Sequence, residues 1–206
     1  MERTWSRLCL AAAALLYAGF ALRDLTRAAD TTALKYLSVL CCFAAALPHC
    51  RTADGRLTAA ALALTAAADW FLLVQDGQEL RGVALFCAVQ GLYALRLDRL
   101  RAAAPALLPC RAIPLAAFVC GVPPLPALAL FYYTNLVLNV GQSVLRCGQS
   151  RAAARFCAGL VLLFCCDTCI GLSRLGLCPA AQRAVWLFYL PSLLCIASSS
   201  IRSTPT

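Results

Sequence analysis

Two aspartates lie inside long apolar stretches of the chain, where an ionised side chain is costly. Asp69 falls in the apolar run 57–74 and Asp167 in the run 156–172. Charged residues within such segments usually have a function, because only a function offsets the cost of removing them from water. We therefore predict that Asp69 and Asp167 form a catalytic pair. Lys35, near the start of another apolar run, is the remaining charged side chain inside these runs.

Two carboxyls that meet in an apolar interior hold one proton between them at neutral pH, because a second negative charge would be poorly solvated and repelled by the first. One group can then donate a proton while the other accepts one. The alternative interpretation is structural, with each aspartate accepting hydrogen bonds from hydroxyl groups or Lys35 and joining helices. Lys35 could serve the site or extend its amine to the membrane surface.

The composition places these carboxyls in a membrane protein. Of the 206 residues, 62% are hydrophobic and 13% charged, whereas soluble domains are about 25% charged. We predict an all-α, polytopic integral membrane bundle of about eight transmembrane helices, in a single domain over residues 1–206. The predicted spans are residues 8–22, 33–47, 57–74, 82–95, 113–125, 127–145, 156–172 and 184–200.

Charge placement predicts how the bundle is oriented. With eight spans, most of the arginines behind the net charge of +9 fall at the two termini and on the even-numbered loops, so both termini are predicted to be cytoplasmic. We expect an integral protein of the cell membrane, plasma or inner. Arg3 and Arg7 precede the first run as in a secretory signal, but we interpret this run as an uncleaved helix of the bundle. Pro114 and the Pro123–Pro124 pair predict a short or distorted fifth helix.

The same topology predicts where the two carboxyls lie. The third and seventh spans both start from the cytoplasmic side. Asp69 and Asp167 each lie about 17 Å from the start of their runs at the rise of an α-helix. The pair would therefore share one level, close to the middle of the bilayer, provided that the two helices are neighbours.

Polar side chains at helical spacing predict a cavity around the pair. We assign them, together with Lys35, to substrate binding. The alternative is hydrogen bonding between helices in a bundle that encloses no water. The residues are Gln90 and Tyr93 in the fourth run, Asn135 and Asn139 in the sixth, and Tyr189 and Ser192 in the eighth.

Other kinds of site find little support in the residues. The 14 cysteines lie mostly inside apolar runs, where they behave as small hydrophobic side chains. Cys166 and Cys169 form a Cys-x-x-Cys pair without a second pair or nearby histidines, and the single histidine, His49, lies in a loop. We expect no metal and no cofactor. Short basic membrane loops attract anionic lipids, so the positive charge requires no nucleic acid partner.

Five segments share an order and spacing with a known family. They are residues 34–37 (LKYL), 68–73 (ADWFLL), 82–86 (GVALF), 159–164 (GLVLLF) and 186–192 (WLFYLPS). Gln90 and Tyr93 follow the third segment, Asp167 follows the fourth, and Ser198 follows the fifth. From Lys35 onward the chain resembles the YhhN-like lysoplasmalogenase family.

This resemblance implies an eight-helix membrane enzyme that cleaves the vinyl ether bond of lysoplasmalogens, with Asp69 and Asp167 as catalytic residues. The products would be a fatty aldehyde and a glycerophospho-alcohol. The substrate would be a lysophospholipid within the bilayer, with membrane lipids as the other partners. Gln90 stands where many members carry histidine, and Ser192 stands where glutamine is common.

Two alternatives to a hydrolase remain open from the sequence. Aspartates within a membrane also relay protons or bind cations in small transporters and channels. Neither Asp69 nor Asp167 is flanked by the proline that commonly breaks a helix at a transporter site. A lipid-binding protein without activity would result if Gln90 and Ser192 closed the pocket.

Overall fold

The apolar runs fold as helices in the computed structural model, which describes residues 1–26, 30–75, 77–98 and 107–201 and contains no strand among them. Six helical segments of this described part are long and apolar enough to cross a membrane. The predicted all-α polytopic membrane bundle is thereby confirmed. The helices are α1 (Glu2–Thr26), α2 (Thr32–Ala46), α3 (Ala53–Asp69), α4 (Glu79–Leu97), α5 (Leu107–Ala112), α6 (Ala116–Val119), α7 (Pro124–Val144), α8 (Arg151–Arg174) and α9 (Val185–Ser199).

Contacts of two buried arginines show which helix ends meet. Arg96 at the end of α4 donates from Nε to Asp54 Oδ1 at the start of α3, at 2.6 Å, and from Nη1 to Ser199 Oγ at the end of α9, at 2.9 Å. Arg146, just after α7, donates to the carbonyl of Leu97 at 2.6 Å. Therefore α3 begins, and α4, α7 and α9 end, at one end of the bundle, which we call the arginine end.

The opposite end of the bundle, which we call the lysine end, joins α1 to α2. Lys35 Nζ, close to the start of α2, lies 2.8 Å from Asp24 Oδ2, close to the end of α1. At the arginine end, Arg51 Nη1 lies 3.2 Å from Glu2 Oε1 at the start of α1. The first helix thus packs in the bundle, with Phe20 fully buried.

The fifth predicted span is wrong in its limits. Since α4 and α7 both end at the arginine end, the chain must pass to the lysine end between Leu97 and Pro124. The helical segment on this path begins at Leu107, becomes a 3₁₀ turn at Ile113–Leu115, and ends at Val119. Pro114 removes a helical hydrogen bond, and Gly121 adopts φ 76° in the following turn. The short segment packs against α7.

The sixth predicted span corresponds to α7. This helix has 21 residues, enough for a span, but it is not among the six segments that are both long and apolar enough to cross a membrane. Its polar residues Asn135, Asn139 and Gln142 lower its mean hydropathy. Which end of the bundle faces the cytoplasm stays a prediction, and so does the single domain over residues 1–206. Residues 27–29, 76, 99–106 and 202–206 lie outside the described part of the chain.

Gly159 allows α8 to pack closely against α9. A Cβ atom at this position would lie 2.6 Å from Ile196 Cγ1 and 3.0 Å from the carbonyl oxygen of Ser192. The backbone oxygen cannot move aside without shifting α9. We therefore expect Gly159→Val to lower the free energy of unfolding by about 1–3 kcal/mol, measured by unfolding of the purified protein in detergent.

Gly171 provides the matched control on the same helix, because a Cβ there would meet no atom within 4 Å. Gly171→Val is expected to unfold close to the wild type. Equal destabilisation by the two substitutions would show that valine disturbs α8 itself and that the α8–α9 contact is not the cause.

Candidate functional site

Asp69 is held at the junction between two kinds of helix. It is the last residue of α3, and the next five residues, Trp70–Val74, form a π-helical turn. Such turns are frequent at functional sites, because the wider turn redirects the side chains beside it. Asp69 is only 4% exposed, and Tyr189 Oη of α9 donates a hydrogen bond to its Oδ2 at 2.5 Å. The tyrosine therefore fixes this carboxyl against α9.

Asp167 has an equivalent partner on another helix. It lies half-buried on α8, and Tyr132 Oη of α7 donates a hydrogen bond to its Oδ2. The neighbouring Tyr133 pairs with Thr168 Oγ1 at 2.9 Å. Sequence reasoning missed Tyr132, although it lies three residues before Asn135 and so extends the polar stripe of α7 at helical spacing.

The two carboxyls lie at the same level of the bundle. Both α3 and α8 begin at the arginine end, because Asp54 and Ser150 line one cavity there. Asp69 and Asp167 each lie 16 residues after the first residue of their helix, or about 24 Å from the arginine end. They are close enough to interact electrostatically.

The distance from the start of each helix is larger than the predicted distance of about 17 Å from the start of each apolar run. Both helices start before their apolar runs, since Thr52 Oγ1 accepts from Gly55 N at 3.0 Å and Ser150 Oγ accepts from Ala153 N at 3.0 Å. These are N-cap bonds, which favour helix initiation at those residues. Both carboxyls are consequently displaced from the middle of their helical segments toward the lysine end, and their depth in the bilayer stays a prediction.

Lys35 is connected to Asp69 through aromatic side chains. Its amine lies 5.6 Å from the ring centroid of Phe20 and 5.3 Å from that of Trp186. The Trp186 ring lies 5.2 Å from the ring of Tyr189, which bonds Asp69. With its side chain 16% exposed and paired with Asp24, Lys35 lies between the bundle surface and the carboxyl pair.

The polar stripe of α7 binds an arginine of the fifth helical segment. Arg111 donates to Asn135 Oδ1 at 2.9 Å, to Asn139 Oδ1 at 2.8 Å and to Gln142 Oε1 at 3.0 Å. Asn139 Nδ2 in turn donates to Gln90 Oε1 at 2.9 Å. Asn135, Asn139 and Gln90 thus form one network between helices, and Arg111, read from the sequence as a loop charge, is its centre.

Three buried polar atoms next to this network form no well-aligned hydrogen bond among the described residues: Thr65 Oγ1, Gln90 Nε2 and Tyr93 Oη. The Thr65 and Tyr93 hydroxyls lie close enough to interact with each other. Leaving such an atom unpaired costs about 1–3 kcal/mol, so their grouping indicates a place for a polar ligand group. Thr65 lies one helical turn before Asp69. Ser192 Oγ, by contrast, bonds the carbonyl of Tyr189 in its own helix at 2.7 Å.

The fold and the site together define a polytopic integral membrane protein with two carboxyls inside its helical bundle, each bonded by a tyrosine. The chain matches the YhhN family over residues 30–200 and belongs to this family, which is known as lysoplasmalogenase-like membrane proteins. The resemblance found in the sequence is thereby confirmed. No curated protein matches the chain, and no solved structure does. Membership suggests a hydrolase-like role in a membrane.

Proposed function

We propose that the protein hydrolyses the vinyl ether bond of lysoplasmalogens within the cell membrane, plasma or inner, releasing a fatty aldehyde and a glycerophospho-alcohol. The observation that carries this proposal is the pairing of Asp69 and Asp167 at one level, each carboxyl held by a tyrosine. Family membership supports the hydrolase class. A pair of carboxyls supplies the acid and the base that this reaction needs.

The first step is proton transfer to carbon. A carboxylic acid protonates the alkene carbon farther from the ether oxygen, which converts the double bond into a C–H bond and an oxocarbenium ion. We assign this donor role to Asp69, because a charge is costlier at the more deeply buried position. The Asp167 carboxylate stabilises the cation that develops beside it.

Water completes the reaction and restores the pair. Its oxygen bonds the cationic carbon while Asp167 accepts one of its protons, which gives a hemiacetal. The hemiacetal C–O bond then breaks, with proton transfer from Asp167 to the glycerol oxygen and from the hemiacetal hydroxyl to Asp69. The cycle consumes one water, releases the aldehyde and the glycerophospho-alcohol, and leaves Asp69 protonated.

Lys35 is suited to hold the phosphate of the lysophospholipid substrate. The amine lies toward the lysine end from the carboxyl pair, and Trp186 and Tyr189 join the two positions. A lipid whose ether reacts at Asp69 carries its phosphate only a few bonds away, within reach of that amine. Thr65, Gln90 and Tyr93 would offer their unpaired polar atoms to the same molecule or to the attacking water.

The test is aldehyde release by the purified protein from lysoplasmenylethanolamine, measured through coupled reduction of the aldehyde. The matched control substrate carries a saturated alkyl ether, which has no alkene carbon to protonate and should release nothing. Absence of aldehyde with the vinyl ether would overturn the proposal. Proton or ion flux in proteoliposomes would then support a transporter, and substrate binding without turnover would support a lipid-binding protein.

The tyrosine partners give a second test of the site. Tyr189→Phe and Tyr132→Phe are each expected to lower kcat by about tenfold to hundredfold, because each removes a hydrogen bond to a carboxyl that is worth about 1.5–3 kcal/mol. KM should change little, since neither hydroxyl is assigned a contact with the headgroup. Steady-state kinetics on purified variants measure both constants.

Tyr133→Phe is the control on the same helix as Tyr132, because it removes a hydrogen bond to Thr168 and leaves both carboxyl partners in place. Its kcat is expected to stay within about twofold of the wild type. An equal loss in all three variants would mean that the tyrosines act through helix packing and do not position the carboxyls.

A further inference from the structure

A cavity of about 120 Å³ lies at the arginine end, away from the carboxyl pair. On this measure a single water requires only about 10–15 Å³, so the cavity has room for a group larger than a water, although polar atoms form the smaller part of its accessible surface. It is bounded by the Arg96–Asp54 ion pair, the ends of α4 and α7, and the first turn of α8. Its polar lining consists of Asp54, Arg96, Ser143, Arg146, Gln149 and Ser150.

Arg146 brings an uncompensated positive charge to this cavity. It is 6% exposed, and one of its nitrogens donates to the carbonyl of Leu97. In the described part of the chain no carboxylate forms an ion pair with it. A buried charge without a counterion is costly. Binding of an anion next to Arg146 would therefore be favourable.

The acidic residues at this end are engaged elsewhere. Asp54 pairs with Arg96, Glu2 pairs with Arg51, and Asp98 interacts electrostatically with Arg111. Residues 99–106, which follow α4, contain no aspartate or glutamate in the sequence. Among the described residues, no carboxylate lies within ion-pair distance of Arg146.

The first turn of α8 adds donors to the same cavity. This helix has 24 residues, and the positive end of its dipole lies at Arg151. Ser150 caps the amide of Ala153, while the amides of Arg151 and Ala152 have no partner among the described residues. Free amides at a helix N-terminus favour anions, phosphate in particular.

We propose that this cavity binds a phosphate group, held by the guanidinium of Arg146 and the first amides of α8. Arginine suits the tetrahedral oxyanion because its planar fork donates two parallel hydrogen bonds. The site is separate from the reaction centre, since Asp54 beside it lies 15 residues before Asp69 on α3, or about 22 Å along the axis. A reacting lysophospholipid cannot span that distance with its phosphate, so the site stands independently of the proposed hydrolysis.

The phosphate group could belong to a soluble phosphate or to the headgroup of a membrane phospholipid. Purified protein in neutral detergent is incubated in one arm with labelled inorganic phosphate and in the other with labelled phosphatidic acid. We expect saturable binding of one molecule per chain in at least one arm. Binding of inorganic phosphate identifies a soluble ligand, whereas binding of phosphatidic acid alone identifies a lipid headgroup.

Variants locate the binding. Arg146→Gln should weaken it by about tenfold or more, because a charge-assisted pair of hydrogen bonds is lost. Ala152→Phe should weaken it as well by filling the cavity from an exposed helix position, with Arg146 and the core left intact. Arg155→Gln removes an exposed positive charge of the same helix outside the cavity lining and should bind within about twofold of the wild type.

Three results would overturn the proposal. They are the absence of saturable binding in both arms of the wild type, equal weakening by Arg155→Gln and Arg146→Gln, and undiminished binding by Ala152→Phe. The second would show that the basic surface attracts anions without a defined site. Size-exclusion profiles of all variants show whether each remains folded. If Arg146→Gln does not remain folded, Ala152→Phe still tests the proposal.

Discussion

Asp69→Asn and Asp167→Asn are each expected to lower the rate of aldehyde release from lysoplasmenylethanolamine by about a thousandfold, within the range that general acid and base groups contribute. Asparagine has nearly the same shape and still accepts a hydrogen bond, so Tyr189 and Tyr132 keep their partners. What is lost is the proton at Asp69 and the negative charge at Asp167. Single-turnover assays of the purified variants measure the chemical step directly.

The double variant sharpens this prediction. Residues that act as one unit are strongly non-additive, so Asp69→Asn combined with Asp167→Asn should be no slower than the slower single variant. Asp30→Asn is the control, because this exposed aspartate bonds Thr32 near the start of α2 and neither carboxyl of the pair, and turnover by this variant should be unchanged. Normal turnover in either single variant would remove that aspartate from the mechanism.

The location of the pair could be predicted because charge and hydrophobicity are local properties of a sequence. An aspartate within an apolar run is visible without any knowledge of packing, and equal offsets along two spans predict a common level. The distance to the start of each helix was underestimated because runs were measured from their first apolar residue. The helices begin instead at the caps Thr52 and Ser150, and both residue types are N-cap signals that could have been used.

The partners of the predicted residues could not be obtained in this way. Arg111 reaches α7 because its side chain is long and the segment carrying it packs there. Counting the charges in the loops does not show toward which helix a side chain extends. The π-helical turn after Asp69 has no sequence signature in the residues WFLLV. Which tyrosine bonds which carboxyl depends on the rotation of α7 and α9, and only packing determines that rotation.

The ion pair of Arg96 and Asp54 should dominate stability at the arginine end. The guanidinium makes two hydrogen bonds to the carboxylate and one to Ser199, and it stacks 4.1 Å above the centroid of the Phe156 ring. Through these contacts Arg96 joins α3, α4, α8 and α9. Arg96→Met keeps most of the apolar volume while it leaves Asp54 and Ser199 without their donor.

We expect Arg96→Met to lower the free energy of unfolding by about 2 kcal/mol, measured by equilibrium unfolding in mixed detergent micelles. Breaking a fully buried pair costs about 3–5 kcal/mol, and the expected loss is smaller because the Asp54 side chain is 42% exposed and water can solvate it. Adding Asp54→Asn to Arg96→Met should recover part of the loss, because the unpaired charge is then removed.

Arg174→Met tests whether the loss of stability expected for Arg96→Met arises from the burial of the ion pair. Arg174 forms an ion pair with Glu79 at the lysine end, where the side chains are 67% and 38% exposed, and exposed pairs contribute about 0–1 kcal/mol. Loss of this exposed ion pair should therefore barely change the free energy of unfolding. If Arg96→Met and Arg174→Met were equally mild, the four helices would be held together by their apolar contacts alone.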